Sequence, residues 1–176
     1  MAAEPFLRLL SRFAENDVRY VVIGVAGANY YARTGAEIFT TQDRDLFLPP
    51  DPENLQRAWS SCRAEGFSLW SADEPLGEPL DRWLAERVVA QRALTSATHD
   101  SGLAIDLTLV MAGFEFDTVW SGHRTFRVEE VDIPVARISH IVESKARAGR
   151  PKDRLFLATY EERLRQLIAL DDSDPV

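Results

Sequence analysis

Asp43, Asp45 and Asp106 are the side chains with which this chain can do chemistry. The stretch Thr40-Thr41-Gln42-Asp43-Arg44-Asp45-Leu46-Phe47-Leu48 puts a D-x-D step at the entrance of an apolar strand. Further on, Leu103-Ala104-Ile105-Asp106-Leu107-Thr108-Leu109-Val110 carries a lone carboxylate inside a second apolar strand. A carboxylate in such a run is costly to bury unless a cation or hydrogen-bond donors compensate it. Residues two apart on a strand share a face, so Asp43 and Asp45 point one way and Arg44 the other. Magnesium takes oxygen ligands, often one or two carboxylates with substrate phosphates completing its shell. Another nearby carboxylate can bridge a second ion or accept the proton of an attacking hydroxyl. For D-x-D alone a solvated strand entrance explains as much. Asp106, in mid-strand, is not explained that way.

Two further features could serve phosphate. Gly24 lies between the apolar run Val21-Val22-Ile23 and the Ala-rich segment after it, where a glycine lets backbone amides approach an anion at a helix N-terminus. Such junctions also occur for purely structural reasons. The segment Lys145-Ala146-Arg147-Ala148-Gly149-Arg150-Pro151-Lys152-Asp153-Arg154 carries five cations and one acid, a local charge of +4 in a chain of −8. A basic cluster against an acidic background suits a triphosphate or a nucleic-acid end, and equally a solvated helix face.

The elements that must position these groups follow from periodicity. Phe6, Leu9, Leu10 and Phe13 predict a helix over 5–15, stopped at Asn16-Asp17. A buried strand is expected over 18–23, then a short helix over 26–33 closed by Gly35. The strand at 45–48 ends at Pro49-Pro50, and Asp51 N-caps a helix over 52–65 that Gly66 stops. Residues 71–80, with Pro75, Gly77 and Pro79, read as a loop, and 81–85 as a helical turn leading into a strand near 86–93. Asp100-Ser101-Gly102 is a hairpin turn before the strand at 103–110, and 125–128 pairs with 131–135 about Glu129-Glu130. A helical region starts at Ile138, breaks near Gly149-Arg150-Pro151 and resumes to Leu170. The expected organisation is one domain over 1–170 with an acidic frayed tail at 171–176: a mixed sheet flanked by helices with a helical C-terminus, α/β in class.

The bulk numbers agree. The chain has 176 residues, 45% hydrophobic and 27% charged, which suits one soluble domain. The single Cys62 rules out an internal disulfide and fits a reducing, cytoplasmic setting; its helical neighbours suggest a packed thiol. No apolar run reaches the length of a membrane span, and the N-terminus lacks signal-peptide character. A charge of −8 argues against a broad grip on nucleic acid. His99, His123 and His140 have no partner at metal-ligand spacing and are expected at surfaces or turns, while Trp59, Trp70, Trp83 and Trp120 are expected in the core or capping it.

Order now counts for more than any single motif. A glycine after the first strand, a D-x-D entering the second, an Asp in a later strand and a cationic helix after it together resemble the minimal nucleotidyltransferases of the polymerase-β-like superfamily. The branch it resembles most contains abortive-infection and toxin–antitoxin nucleotidyltransferases. The matching stretches are Val21-Val22-Ile23-Gly24-Val25-Ala26, Thr41-Gln42-Asp43-Arg44-Asp45, Ile105-Asp106-Leu107 and the segment from Ser144 to Asp153. The resemblance spans about residues 17–165, with 70–100 and 111–130 unanchored. It implies transfer of a nucleoside monophosphate from a nucleoside triphosphate to a hydroxyl acceptor: a protein, an RNA end or a small molecule. Asp43, Asp45 and Asp106 would hold Mg2+, and Asp106 would help deprotonate the acceptor. Gly24 and the Val25 amide would approach the triphosphate, and Lys145, Arg150 and Lys152 would neutralise it. Asp153 would hold the cationic helix or bind nucleotide. Such chemistry is mostly alignment and charge neutralisation. Val25 departs from the family, which usually has Gly or Ser there. That departure leaves an alternative, a weak or inactive nucleotidyltransferase-fold protein acting as a regulatory module.

Overall fold

The structure, a computed structural model, describes residues 4–32, 39 and 43–174. Its centre is an eight-stranded mixed sheet in the order β4-β3-β5-β6-β2-β1-β8-β7. In chain order these are β1 (Val21–Ile23), β2 (Asp43–Phe47), β3 (Ser68–Ser71), β4 (Glu74–Pro75), β5 (Thr95–Thr98), β6 (Ala104–Thr108), β7 (Arg124–Val128) and β8 (Val131–Val135). The helices are α1 (Pro5–Glu15), α2 (Gly24–Ala32), α3 (Pro52–Ala64), α4 (Arg82–Gln91), α5 (Phe116–Gly122), α6 (Ile138–Ala148), α7 (Pro151–Thr159) and α8 (Glu161–Ser173).

Alternation along the strands divides the core. Leu46, Ile105 and Leu107 enter one cluster with Phe6, Leu10 and Phe13 of α1 and with Leu55 and Trp59 of α3. Val21, Ile23 and Phe47 face the other way, against Met111, Phe116 and Ile141. A third cluster joins Ala28 and Ala32 of α2 to Phe39, Ile138, Leu164 and Leu167. Burial of these side chains is the main driving force for holding the layers together, at roughly 25 cal/mol per Å2 of apolar surface.

Local signals set the helix ends as expected. Glu4 accepts from the Leu7 amide at 3.4 Å ahead of Pro5, and Asp51 accepts from the Glu53 amide at 3.0 Å ahead of Pro52. Gly66 takes φ +85°, which ends α3 without a side-chain clash. The first strand is shorter than expected, starting at Val21. Buried Asn54 takes both backbone groups of Arg19, accepting from its amide at 2.7 Å and donating to its carbonyl at 3.0 Å. Those groups are then not free for a ladder. The hairpin of β5 and β6 and that of β7 and β8 form as expected, in antiparallel register. Cys62 is buried within α3.

Elsewhere the structure differs. Residues 86–93 are not a strand: α4 runs through to Gln91 because Asp81 caps it, accepting from the Leu84 amide at 3.0 Å. Ala85 and Val88 are buried three apart, a helical spacing. The segment read as a loop over 71–80 contains β4, paired with β3 through Trp70 opposite Pro75 and Ser71 opposite Glu74. The unanchored stretch before β7 holds α5. Trp83 is 67% exposed rather than packed, whereas Trp59 is fully buried and donates to Thr95 Oγ1 at 3.2 Å. Nor does the chain fray at Asp171, where α8 continues to Ser173. Asp171 accepts from Arg124 Nε at 2.8 Å and Arg137 Nε at 3.2 Å, a tie to β7 invisible in the local sequence. The expected cap at Gly35 lies outside the described residues. Among the described residues no helix is long and apolar enough to cross a membrane.

Candidate active site

The site grows from the pairing of β2. Antiparallel to β1, it sets Asp45 opposite Ile23; parallel to β6, it sets Asp45 level with Asp106. Both aspartates line one cleft of about 400 Å3. Asp43 starts the same strand at an exposed position, level with Ala104. Arg44 turns to the opposite side, its guanidinium 4.5 Å from the Phe6 ring centroid and 3.5 Å from Glu4. Among the described residues no three acidic, histidine or cysteine side chains gather as a metal-holding cluster. The expected trio is thus an adjacent pair, Asp45 and Asp106, with Asp43 two residues away along β2.

Burial raises the Asp45 carboxyl above its ordinary value, the Asp106 charge adds to the rise, and Lys145 opposes it. Two adjacent carboxylates with part of their charge uncompensated fit a divalent cation, and magnesium needs no more than two when phosphates supply further oxygens. Asp106 is held by a residue the sequence reading overlooked. Ser96 Oγ donates to Asp106 Oδ1 at 2.9 Å, across the β5–β6 pairing that sets the two residues opposite each other. The hairpin turn at 100–102, counted outwards, already implied that register.

Gly24 lies directly against Asp45. It takes φ +70°, and a Cβ there would sit 2.6 Å from Asp45 Oδ2. The glycine therefore meets two demands, a left-handed turn from β1 into α2 and room for a carboxylate. Val25 is not among the residues lining the cleft; its side chain packs against the cluster formed by α2 and the C-terminal helices. Gly27 offers no room for phosphate, since a Cβ there would lie 3.0 Å from Ile141 Cδ1 and from the Val22 carbonyl oxygen. Its smallness serves close packing of α2.

The opposite wall is cationic. Lys145 near the end of α6 and Arg150 ahead of α7 line the cleft, and both engage Asp153, which is fully buried. Lys145 Nζ lies 3.4 Å from Asp153 Oδ1 and 5.0 Å from the Phe156 ring centroid. Arg150 Nε donates to Asp153 Oδ2 at 2.6 Å. Burial pushes the Asp153 carboxyl up, but the Arg150 hydrogen bonds and the Lys145 charge outweigh it and leave it below its ordinary value. Gly149 at φ +63° makes the sharp turn between α6 and α7 that lets one carboxylate serve both cations. Lys152 is exposed, near enough that its charge bears on Asp45. Arg147 is paired with Glu143 at 2.9 Å. No histidine lines the cleft; His140, half-buried, sits tilted against Phe114 with ring centroids 4.7 Å apart and leaves its Nδ1 unpaired.

The fold is mixed α/β, an eight-stranded sheet flanked by helices, and is like that of a solved nucleotidyltransferase. Among solved structures the chain is similar to the lincosamide antibiotic adenylyltransferase LnuA, solved with lincomycin bound. The TM-score is 0.52 at 14% identity, over 98% of each chain. The antibiotic-resistance factor ANT(2'')-Ia is also similar, with a TM-score of 0.49 and 15% identity over 96% of this chain and 90% of that one. No protein-family model matches the chain, and no curated protein matches it in sequence.

Proposed function

We propose that the protein is a magnesium-dependent nucleotidyltransferase that moves a nucleoside monophosphate from a nucleoside triphosphate to a hydroxyl acceptor. The observation that carries this is the cleft itself, with Asp45 and Asp106 level on adjacent strands and Lys145 and Arg150 on the facing wall. Mg2+ held by Asp45 and Asp106, with Asp43 as a further ligand, would neutralise phosphate charge and align the α-phosphate. Asp106 takes the proton of the acceptor hydroxyl, whose oxygen attacks the α-phosphorus. The bond from that phosphorus to the oxygen bridging to the β-phosphate breaks, and pyrophosphate leaves with the electron pair. Lys145 and Arg150 stabilise the charge gathered on pyrophosphate, and Lys152 adds to that field. The α2 N-terminus, opened by Gly24, receives phosphate oxygens on its amides.

Val25 motivated the reading of an inactive regulatory module. Its side chain lies in the apolar cluster rather than the cleft, which favours the catalytic reading. A link to the abortive-infection and toxin–antitoxin branch rests on the motifs alone. Isothermal titration with Mg2+ and a non-hydrolysable triphosphate tests the proposal. Binding that is lost in Asp43→Ala/Asp45→Ala supports it; no binding, or binding indifferent to that change, rejects it.

A further inference from the structure

We propose that the end of the cleft formed by β5 and β6 is an acceptor subsite for an uncharged hydroxyl compound with an apolar body. This deepens the nucleotidyltransferase reading and rests on it. The cations of the cleft and most of its apolar residues come from different segments. Lys145 and Arg150 stand on the helical wall, while Leu94, Thr108, Val110, Met111 and Ala112 come from the strand side, and the Arg147 side chain that lies against Gly113 beside them is paired with Glu143.

Leu94 immediately precedes β5 and Val110 closely follows β6, so both lie just past Asp106 at the same end of the two strands. They are 46% and 53% exposed, large apolar side chains left in water at the mouth of a polar site. Exposed aliphatic groups in a concave site mark apolar ligand contact.

The polar groups at this end are already committed. Thr108 Oγ1 donates to the Val110 carbonyl at 2.9 Å and accepts from the Val110 amide at 3.1 Å. Ser96 donates to Asp106. What remains is an apolar floor with one carboxylate, Asp106, suited to one incoming hydroxyl.

Charged acceptors fit poorly. An RNA end would set its phosphates over aliphatic side chains and beside Asp106, with the nearby Arg147 already paired to Glu143, and anions need compensation there. A polyamine would find only Asp45 and Asp106, both taken up by the transfer. In the transfer the acceptor oxygen bonds to the α-phosphorus, its proton passes to Asp106, and pyrophosphate departs toward Lys145 and Arg150.

The test uses the full chain and a series of alkyl β-glucosides, methyl to octyl, titrated by NMR with and without Mg2+ and a non-hydrolysable triphosphate. Affinity should climb by about two- to fourfold per added CH2. Leu94→Asn/Val110→Asn should flatten that climb, while Leu155→Asn, on an exposed leucine that does not line the cleft, leaves it intact. A flat series, a climb that survives Leu94→Asn/Val110→Asn, or tighter binding of an RNA trinucleotide or a tetra-amino sugar would each overturn the subsite. The triphosphate arm alone judges the parent reading, so the two can fail separately.

Discussion

Asp45→Asn should stabilise the metal-free protein while destroying its response to magnesium. Asp45 sits level with Asp106, and its carboxyl is raised by burial first and by the Asp106 charge second. Neighbouring strands lie about 4.8 Å apart, and two unit charges near 5 Å repel by about 3 kcal/mol at an effective dielectric constant near 20. Lys145 and Lys152 offset part of this. A net gain of about 1–2 kcal/mol remains for the amide, a rise of roughly 2–8 °C in Tm for a chain of this size. The sign follows from linkage. A carboxyl raised in the folded state favours folding only while it holds its proton. Its penalty is therefore absent well below the ordinary value of 3.8, grows as pH rises past it, and is complete above the raised folded value. Thermal melts in EDTA should show the variant ahead of wild type at pH 7.5 and the gap shrinking toward pH 4. Adding Mg2+ and a non-hydrolysable triphosphate at about a hundred times Kd should then stabilise wild type alone, by about 2.7 kcal/mol. A variant no more stable than wild type in EDTA at pH 7.5, or equal ligand stabilisation of both proteins, would refute the reasoning.

Three further changes test neighbouring parts of the frame. Gly24→Ala places a methyl 2.6 Å from Asp45 Oδ2 at φ +70°, so it should cost about 1–3 kcal/mol in denaturant melts and weaken magnesium-triphosphate binding. Asp153→Asn leaves Lys145 with a neutral partner and should cost about 3 kcal/mol, the low end for a broken buried pair because Arg150 is 58% exposed and reaches water. Since the folded Asp153 carboxyl lies below its ordinary value, its stabilisation is present above the ordinary carboxylate range and lost as pH falls through the folded value. Acid titration of Asp153→Asn should therefore lack that loss. Truncation after Leu170 removes Asp171 from Arg124 and Arg137, and should cost about 3–5 kcal/mol by chemical denaturation.

Much of the frame was readable because its signals are local. Helices α1 and α3 announced themselves through Pro5, Pro52, the Asp51 cap and apolar spacing, and both hairpins through their turns. The motif order from Gly24 through the D-x-D to Asp106 and Lys145 was enough to suggest the fold. Reading failed where periodicity was overruled by a partner. Val88 and Val89 looked like strand until the Asp81 cap and the buried Ala85–Val88 stripe fixed α4. Asp171 looked like tail until Arg124 reached it.

What the sequence by itself determined is the inventory: which carboxylates, which cations and which glycine, each on an element its neighbours dictate. Only the tertiary structure decided how they meet. The parallel register of β2 and β6 makes a pair of Asp45 and Asp106 and leaves Asp43 further out along the strand. The α6–α7 turn makes Asp153 a buried clamp on two cations. Packing of α2 turns Val25 out of the cleft. The physical reason is common to all three. Side-chain direction follows from local periodicity and hairpin register from the turn, but the pairing of strands far apart in the chain and the docking of helices are set by contacts between distant segments.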